Sequence, residues 1–156
     1  GCLETEASLA VLIEKAIQGM EEGRLTKMRG LSLKHLDKSI EIFLDAVNHG
    51  DKFAIELISA AAYMIGQGAA ILVHVLNPEA IILSGRGSLV GKILAAPIQQ
   101  ALNEHCIPRL AANTVIRVSN LGMDAQLLGG AALVMEYFAL EDSTTLDKAS
   151  FPAHST

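Results

Sequence analysis

The sequence predicts an α/β fold that is rich in helix and contains a short pair of parallel strands. The second half of the chain reads as strand, helix, strand and helix, an order that produces parallel strands joined by a helical crossover. Hydrophobic residues make up 51% of the 156 residues and charged residues 19%, which excludes disorder over the whole length and allows a buried core. Aromatic residues are only 4%, so the core is expected to consist of Ala, Leu, Ile and Val.

Two amphipathic helices are predicted in the first part of the chain. Apolar residues recur at three- and four-residue spacing over residues 5–20 and again over residues 36–48. Thr5 is the expected N-cap of the first helix, and Gly23 marks its expected end. The polar, basic-leaning residues 21–34 are expected to form a loop.

A long third helix is predicted over residues 52–76, because Gly50 ends the preceding helix as a glycine cap does. The stretch 57–78 carries no charged residue and is long enough to span a bilayer. Polar side chains interrupt it, no cluster of Lys or Arg flanks it, and its excess lies in Ala and Gly. A buried central helix is therefore favoured over a membrane span, and His74 is expected to be a hydrogen-bonded core histidine.

Two short strands are predicted in the second half. Asn77-Pro78 ends the long helix, because proline disfavours helix in the residue before it. Residues 80–84 are apolar on both faces, which is typical of a strand covered on both sides, and residues 114–119 form the second strand. Two strands do not make a self-sufficient sheet, so we expect them to extend a sheet whose other strands lie upstream.

A helix is predicted after each strand, over residues 89–105 and 125–139. From Glu141 onward the chain is polar and has no hydrophobic period. We therefore divide the chain into one lobe at residues 1–139 and a polar tail at 140–156 that is expected to be disordered.

Charge and cysteine content limit the class of protein. Seventeen acidic side chains against 12 basic ones give a formal charge of -5 at pH 7, which disfavours direct binding of DNA or RNA. The two cysteines, Cys2 and Cys106, form neither a disulfide framework nor a Cys-x-x-Cys motif, as expected in a reducing cytoplasm. The first residues contain neither a signal core nor an initiator Met, so we expect the chain to be part of a longer polypeptide.

The turn Gly85-Arg86-Gly87 after the first strand is the best candidate for a ligand site. In α/β sheets ligands bind beyond the carboxyl ends of strands, and glycine lets the backbone approach a nucleotide or phosphate closely. No Gly-Lys-Ser or Gly-Lys-Thr follows, so the turn is not a P-loop. Gly91 falls one residue beyond the third glycine of a dinucleotide fingerprint.

Other candidate groups have a simpler interpretation when the residues are taken alone. Glu4 and Glu6 lie at the start of the first helix, where acidic side chains are favoured by the helix dipole. Cys2 has the chemistry of a thiolate metal ligand, but one ligand is not a site. His105 is expected to be a surface residue near a helix C-terminus. The five histidines show no metal-binding spacing, and no nucleophilic triad or pair of catalytic carboxylates is visible.

Three segments carry a more specific signal: Gly1-Cys2-Leu3-Glu4, Asn-Pro-Glu within residues 76–85, and Leu-Gly-x-x-Ala followed by Gly-Ala-Ala within residues 121–132. In this order they resemble the ROK family of repressors, open reading frames and sugar kinases. The first is similar to the end of that family's zinc motif, Cys-x-Cys-Gly-x-x-Gly-Cys-x-Glu. The other two are similar to its Asn-Pro-Glu strand with glycines and to its late glycine- and alanine-rich segment. The resemblance covers residues 1–139.

The resemblance implies the C-terminal half of an actin/hexokinase-like ATPase fold, which is ribonuclease H-like. It implies that Cys2 is the last cysteine of a zinc site whose other ligands lie upstream, so that zinc belongs to the full-length protein. It also implies that Glu4 contacts a sugar, and that members of this kind form homo-oligomers.

In the family's kinases the corresponding glycine turn lies against the nucleotide, so the resemblance implies nucleotide contact at Gly85, Arg86 and Gly87 if this protein is a kinase. Those kinases usually have three consecutive glycines there, whereas here the middle position is Arg86. A long cationic side chain would crowd an adenosine pocket or else meet a phosphate. The catalytic base of the kinases lies upstream, so we expect no kinase activity from these 156 residues alone.

Two functions follow from the resemblance. The first is the effector-sensing and oligomerisation half of a sugar-responsive transcriptional repressor, which binds a sugar or sugar phosphate and reaches DNA only through an N-terminal domain. The alternative is the C-terminal half of an ATP-dependent sugar kinase of glucokinase or N-acetylhexosamine kinase type, with ATP and Mg²⁺ as cofactors. A truncated member that only pairs with a partner is a third interpretation. We expect a cytoplasmic protein with no membrane partner, and altered residues in the glycine turn favour the repressor.

Overall fold

The computed structural model describes residues 3–149, and the described chain is built mostly from helices around one strand pair. The elements are α1 (Leu3–Ala7), α2 (Leu9–Glu21), α3 (Leu36–Asn48), α4 (Lys52–Leu76), β1 (Ala80–Leu83), α5 (Gly91–His105), α6 (Pro108–Asn113), β2 (Val115–Val118) and α7 (Ala125–Ala149). Single 3₁₀ turns cover Leu33–His35, Arg86–Val90 and Gly122–Asp124. The predicted α/β class and the strand–helix–strand–helix order are confirmed.

The first predicted helix is in fact two helices that meet at Ser8. The backbone of Ser8 is extended, with φ −71° and ψ 151°, and its hydroxyl accepts a hydrogen bond from the Val11 amide at 3.4 Å. Ser8 is therefore the N-cap of α2. The predicted cap at Thr5 is wrong, because Thr5 lies inside α1.

The long helix α4 is the centre of the fold, and the helices α1, α2, α3, α5 and α6 all pack against it. Its contact with α5 is close because α4 presents small residues. A Cβ at Gly66 would lie 2.7 Å from the Ala101 Cβ atom and 2.8 Å from the Ile98 carbonyl oxygen. The helix α4 is also long and apolar enough to be a candidate membrane span. The core helices of soluble proteins meet the same criteria of length and composition. Its packing agrees with the predicted central helix.

One apolar core joins these helices. Its largest fully buried side chains come from α2, the loop before α3, α3 and α5: Leu12, Ile13, Met28, Phe43, Ile98 and Leu102. Aromatic side chains contribute little to this core beyond Phe43 and Phe53. The prediction of an aliphatic core is therefore confirmed for the described residues.

The strands β1 and β2 are parallel neighbours, with Ala80 opposite Val115 and Leu83 opposite Val118. Only one face of this pair is covered in the described chain. Ile81, Leu83 and Ile116 pack against the core, whereas Ile82 and Val115 on the other face are 65% and 50% exposed. Within the described residues the helices lie on one side of the sheet, so the predicted cover on both sides of the first strand is not found here and stays a prediction for the intact protein.

The last helix, α7, is longer than the predicted helix over residues 125–139, since it continues to Ala149. Much of its apolar surface faces solvent, including Leu127, Leu133, Met135, Tyr137 and Phe138. Its main neighbour in the described chain is the 3₁₀ turn at Gly122–Asp124. Residues 150–156 of the predicted tail lie outside the described residues. The boundary predicted at residue 139 stays a prediction.

Candidate functional site

The turn after β1 has a backbone conformation that depends on Gly85. Gly85 has φ +86°, which lies in the left-handed region that side chains rarely adopt. Its carbonyl oxygen accepts hydrogen bonds from both the Ser88 amide, at 3.0 Å, and the Ser88 hydroxyl, at 2.7 Å. These two bonds close the turn, and they hold residues 86–88 beyond the carboxyl end of β1.

Gly87 differs from Gly85, because nothing in the described chain requires a glycine there. Its φ is not positive, and a Cβ at Gly87 would meet the Leu94 Cδ1 atom at 3.7 Å, an ordinary contact distance. A side chain of moderate size therefore fits without strain. The fold of the described residues therefore gives no reason for a glycine at this position.

Gly91, the third glycine of the segment, is explained by packing. A Cβ there would lie 2.3 Å from the Val118 Cγ1 atom, so a glycine lets the start of α5 approach β2. Gly91 therefore serves the contact between helix and sheet, and the spacing of the three glycines is not that of a dinucleotide fingerprint.

Arg86 lies in the middle of the turn and reaches across to α3. Its Nη1 atom donates a hydrogen bond to the Asp37 Oδ1 atom at 2.5 Å. The Arg86 and Asp37 side chains are 38% and 81% exposed, so the pair contributes at most about 1 kcal/mol to folding. The main effect of the pair is therefore to position the guanidinium between the glycine turn and the first turn of α3.

A cleft of about 690 Å³ adjoins the turn, and this volume is within the range of small-molecule sites. Its walls come from the end of α3 at Asn48, the segment 88–95, and the end of β2 at Val118 and Asn120. Lys92 is the cation among its lining residues. The cleft therefore lies at the carboxyl end of β2, an edge of the sheet where α/β proteins bind ligands, and Gly85, Arg86 and Gly87 are not among its lining residues.

The nucleotide contact predicted for Gly85, Arg86 and Gly87 stays a prediction, as do the roles of Glu4 and Cys2. Glu4 lies in α1, which packs against α4. The side chain of Glu4 and all of Cys2 lie outside the described residues. Their sugar-binding and zinc-binding roles stay predictions.

The residues that the structure describes contain no group of three or more His, Cys, Asp or Glu side chains able to hold a metal ion. Cys106 is buried, and its thiol lies 3.7 Å from the Ala70 carbonyl oxygen. Burial raises the pKa of the Cys106 thiol, which disfavours the thiolate that metal binding needs. The described part of the chain therefore supplies no zinc site of its own.

One polar cluster was not visible in the sequence. The Tyr63 hydroxyl donates a hydrogen bond to the Glu104 carboxylate at 2.5 Å and lies 3.0 Å from the His105 Nε2 atom, which is also 3.1 Å from the Gln67 amide nitrogen. The hydrogen bond to Glu104 raises the pKa of Tyr63 and lowers the pKa of Glu104. The members are too far apart in sequence, about 40 positions, for periodicity to reveal them. The cluster fastens α4 to α5 at the surface.

The predictions for the two histidines near the interface between α4 and α5 do not agree equally well with the structure. His105 lies exposed in the last turn of α5, as predicted. The prediction for His74 is wrong, because His74 is exposed and its Nε2 atom accepts a hydrogen bond from the Ile107 amide at 3.3 Å. His74 thus lies at the edge of α4 beside the connection between α5 and α6, where its ring stays open to solvent.

A parallel strand pair with helices packed on it, a glycine turn after β1 and a cleft at the end of β2 places this chain in the α/β class. The family model described as "ROK family" matches residues 1–137 of this chain. The chain therefore belongs to the ROK family. Its fold is the helix-rich α/β fold of an actin/hexokinase-like domain, as the resemblance implied.

Known members of the family on both the kinase and the repressor side are similar to this chain. The glucokinase of Halalkalibacterium halodurans is 33% identical over 136 residues, which is 87% of this chain and 41% of that protein. The xylose repressor of Caldicellulosiruptor bescii is 28% identical over 160 residues, which is 99% of this chain and 36% of that protein. The chain thus spans about two fifths or less of the length of these relatives.

Solved structures lead to the same pair of classes. A ROK family glucokinase from Streptomyces griseus, in complex with glucose and AMPPNP, has a TM-score of 0.68 and 26% identity, over 85% of this chain and 44% of that one. A ROK family transcriptional regulator, a homologue of the Escherichia coli MLC protein, has a TM-score of 0.66 and 25% identity, over 75% of this chain and 29% of that one. Both proteins share the arrangement of helices and strands found here.

Proposed function

We propose that this chain is the effector-sensing and oligomerisation half of a sugar-responsive ROK-type transcriptional repressor. The observation that carries the proposal is Arg86, which stands in the glycine turn and forms an ion pair with Asp37. In a kinase this side chain would lie where a nucleotide approaches the turn, while a repressor has no need of an ATP site. The xylose repressor among the relatives supports the same assignment.

The net charge agrees with a repressor in which this half binds the sugar and another domain binds DNA. A formal charge of -5 makes this half a poor surface for DNA, so a separate N-terminal domain makes the DNA contact. The ligand of this half is a sugar or a sugar phosphate, with Glu4 as a sugar-binding residue. Cys2 completes a zinc site with upstream ligands in the full-length protein, and the intact protein is a cytoplasmic homo-oligomer.

The alternative function is the C-terminal half of an ATP-dependent sugar kinase, with ATP and Mg²⁺ as cofactors. The observation that favours it is Gly87, since neither its φ nor the space around it explains why the residue is glycine. A glycine that the fold does not need is consistent with close approach of a nucleotide. The similarity to a glucokinase supports this alternative function.

Replacing Gly87 by Val in the intact protein separates the two functions. If the protein is a repressor, we expect Gly87→Val to retain sugar-dependent release from operator DNA, because no nucleotide binds the turn. Fluorescence anisotropy of labelled operator DNA measures that release, and isothermal titration calorimetry with ADP measures nucleotide binding in parallel.

The opposite result contradicts the repressor proposal. Tight ADP binding that Gly87→Val abolishes, together with ATP-dependent phosphorylation of a hexose, would identify a kinase. Ser88→Ala is the matched control at the next position. It removes one of the two hydrogen bonds to the Gly85 carbonyl without adding bulk to the turn, so a steric effect on the ligand occurs with Gly87→Val alone.

A further inference from the structure

Asp37 and Arg86 are 49 positions apart, and their ion pair joins α3 to the glycine turn. The pair is exposed, with 38% of the arginine and 81% of the aspartate side chain accessible. An ion pair this exposed is weak, because water screens both charges. A second anion with suitable geometry therefore competes with the Asp37 carboxylate for the guanidinium.

Phosphate is the anion that suits this place. A guanidinium has five N–H donors in a planar fork, and it forms two parallel hydrogen bonds to a phosphate group. Arg86 stands beyond the carboxyl end of β1, two residues before Ser88, which lines the cleft together with Lys92.

Three elements that pack against the turn Arg86–Val90 carry further charged groups. These include Lys38 and Glu41 on α3, Lys92 on α5, and Asp124 in the 3₁₀ turn Gly122–Asp124. Among the described residues, Arg86 forms an ion pair with Asp37 and with no other carboxylate. Asp37 is thus the group whose removal frees Arg86.

We propose that Asp37 is a positioning residue for Arg86, and that Asp37 and the phosphate group of a ligand compete for the Arg86 guanidinium. While Asp37 holds Arg86, the positive charge is neutralised and directed toward α3. When Arg86 is released, it donates hydrogen bonds to a phosphate that lies over the glycine turn. The ligand class is a nucleotide or a sugar phosphate, and the competition does not depend on whether the intact protein is a repressor or a kinase.

The test is a double-mutant cycle in the intact protein, read by isothermal titration calorimetry. The probes are ADP and glucose 6-phosphate, with adenosine and glucose as their phosphate-free partners. We expect Asp37→Asn to bind one phosphate probe about two- to fivefold more tightly than the unaltered protein, because the competing carboxylate is gone. The affinity for adenosine and glucose stays unchanged, and the probe that gains affinity identifies the source of the phosphate.

Two further variants make the cycle specific. In Arg86→Gln the gain from Asp37→Asn disappears, because the guanidinium that the phosphate would use is absent. Glu41→Gln removes the same single charge one helical turn away on α3 without touching Arg86, so it leaves the affinity for both phosphate probes unchanged. Thermal denaturation of each variant shows whether the fold is intact.

Four results would overturn the proposal: no binding of either phosphate probe, equal affinity in Asp37→Asn and the unaltered protein, a gain that persists with Arg86→Gln, or an equal gain with Glu41→Gln. The last would mean a general effect of charge. Operator release and phosphoryl transfer test the proposed function by separate readouts. Its failure is therefore distinguishable from failure of the competition between Asp37 and phosphate.

Discussion

The carboxylate of Asp51 joins two segments of the chain through three hydrogen bonds. It accepts from the Thr26 hydroxyl at 2.9 Å, from the Lys27 amide at 2.7 Å and, as the N-cap of α4, from the Ala54 amide at 3.0 Å. Burial by itself raises the pKa of Asp51, but these hydrogen bonds outweigh it and the pKa lies below the ordinary value of 3.8. One side chain thus fixes both the loop before α3 and the start of α4.

Replacing Asp51 by Ala in the intact protein is expected to lower the free energy of unfolding by about 1–3 kcal/mol at pH 7, because a helix cap and two further hydrogen bonds are lost. A depressed pKa in the folded state stabilises the fold above the unfolded pKa of 3.8, and this contribution is lost as pH falls through the folded pKa. The difference between variant and unaltered protein in urea denaturation therefore shrinks below pH 3.8. A difference that does not change with pH contradicts the role of the ionised carboxylate.

At the scale of elements, α4 and α5 pack closely where α4 has a glycine instead of a larger residue. At Gly66 a Cβ would come within 2.9 Å of three atoms of Ala101 and Ile98, two of which belong to the backbone of α5. At Gly68, two residues along the same helix, the atom nearest to a Cβ is a methyl carbon of Leu3 at 3.4 Å. The two glycines thus have different roles in one helix.

The change of Gly66 to Ala is expected to destabilise the intact protein by about 1–3 kcal/mol, because the backbone of α5 has to move away. The same change at Gly68 is the matched control. It is expected to be neutral or to stabilise by up to about 1 kcal/mol, because alanine is the better helix former and the methyl of Leu3 is able to move. Urea denaturation measures both, and equal effects at the two positions would contradict the close contact between α4 and α5.

At the scale of the whole molecule, the described chain leaves large apolar surfaces open. The outer face of the strand pair exposes Ile82 and Val115, and α7 exposes a run of apolar side chains that includes Tyr137 and Phe138. Parallel strands are normally covered on both faces. The chain also spans only 41% of the glucokinase it resembles. We therefore expect the remaining part of the intact protein to cover the outer face of the sheet.

Replacing Ile82 by Asp tests that expectation in the intact protein. If the face is covered there, we expect a loss of about 2–4 kcal/mol in the free energy of unfolding, since a charge would be buried without a partner. Leu25, which is 94% exposed in a loop, provides the control, and Leu25→Asp is expected to change stability by less than about 0.5 kcal/mol. A loss for Ile82→Asp no larger than the control would mean that the face stays exposed to water.

Local signals in the sequence predicted most elements of the fold. The predicted bounds 36–48 and 52–76 agree with α3 and α4, because a hydrophobic period, a glycine cap and a proline stop act within a few residues. The extra helix α6, with Pro108 in its first turn, was missed since it has only 6 residues and no full apolar period. The cap at Ser8 was missed because Thr5 is also a capping residue type and the apolar period, which begins at Leu9, does not decide between them.

The sequence by itself determined the α/β class, the order of the elements and the glycine turn at Gly85-Arg86-Gly87 as the candidate site. Only the tertiary structure decided that Arg86 pairs with Asp37, that His74 is exposed, that Gly91 serves packing and that one sheet face is open. The physical reason is the distance along the sequence over which each interaction acts. Caps, periods and turns are set by neighbours along the chain, whereas these contacts join residues that lie tens of positions apart and meet only when the helices pack.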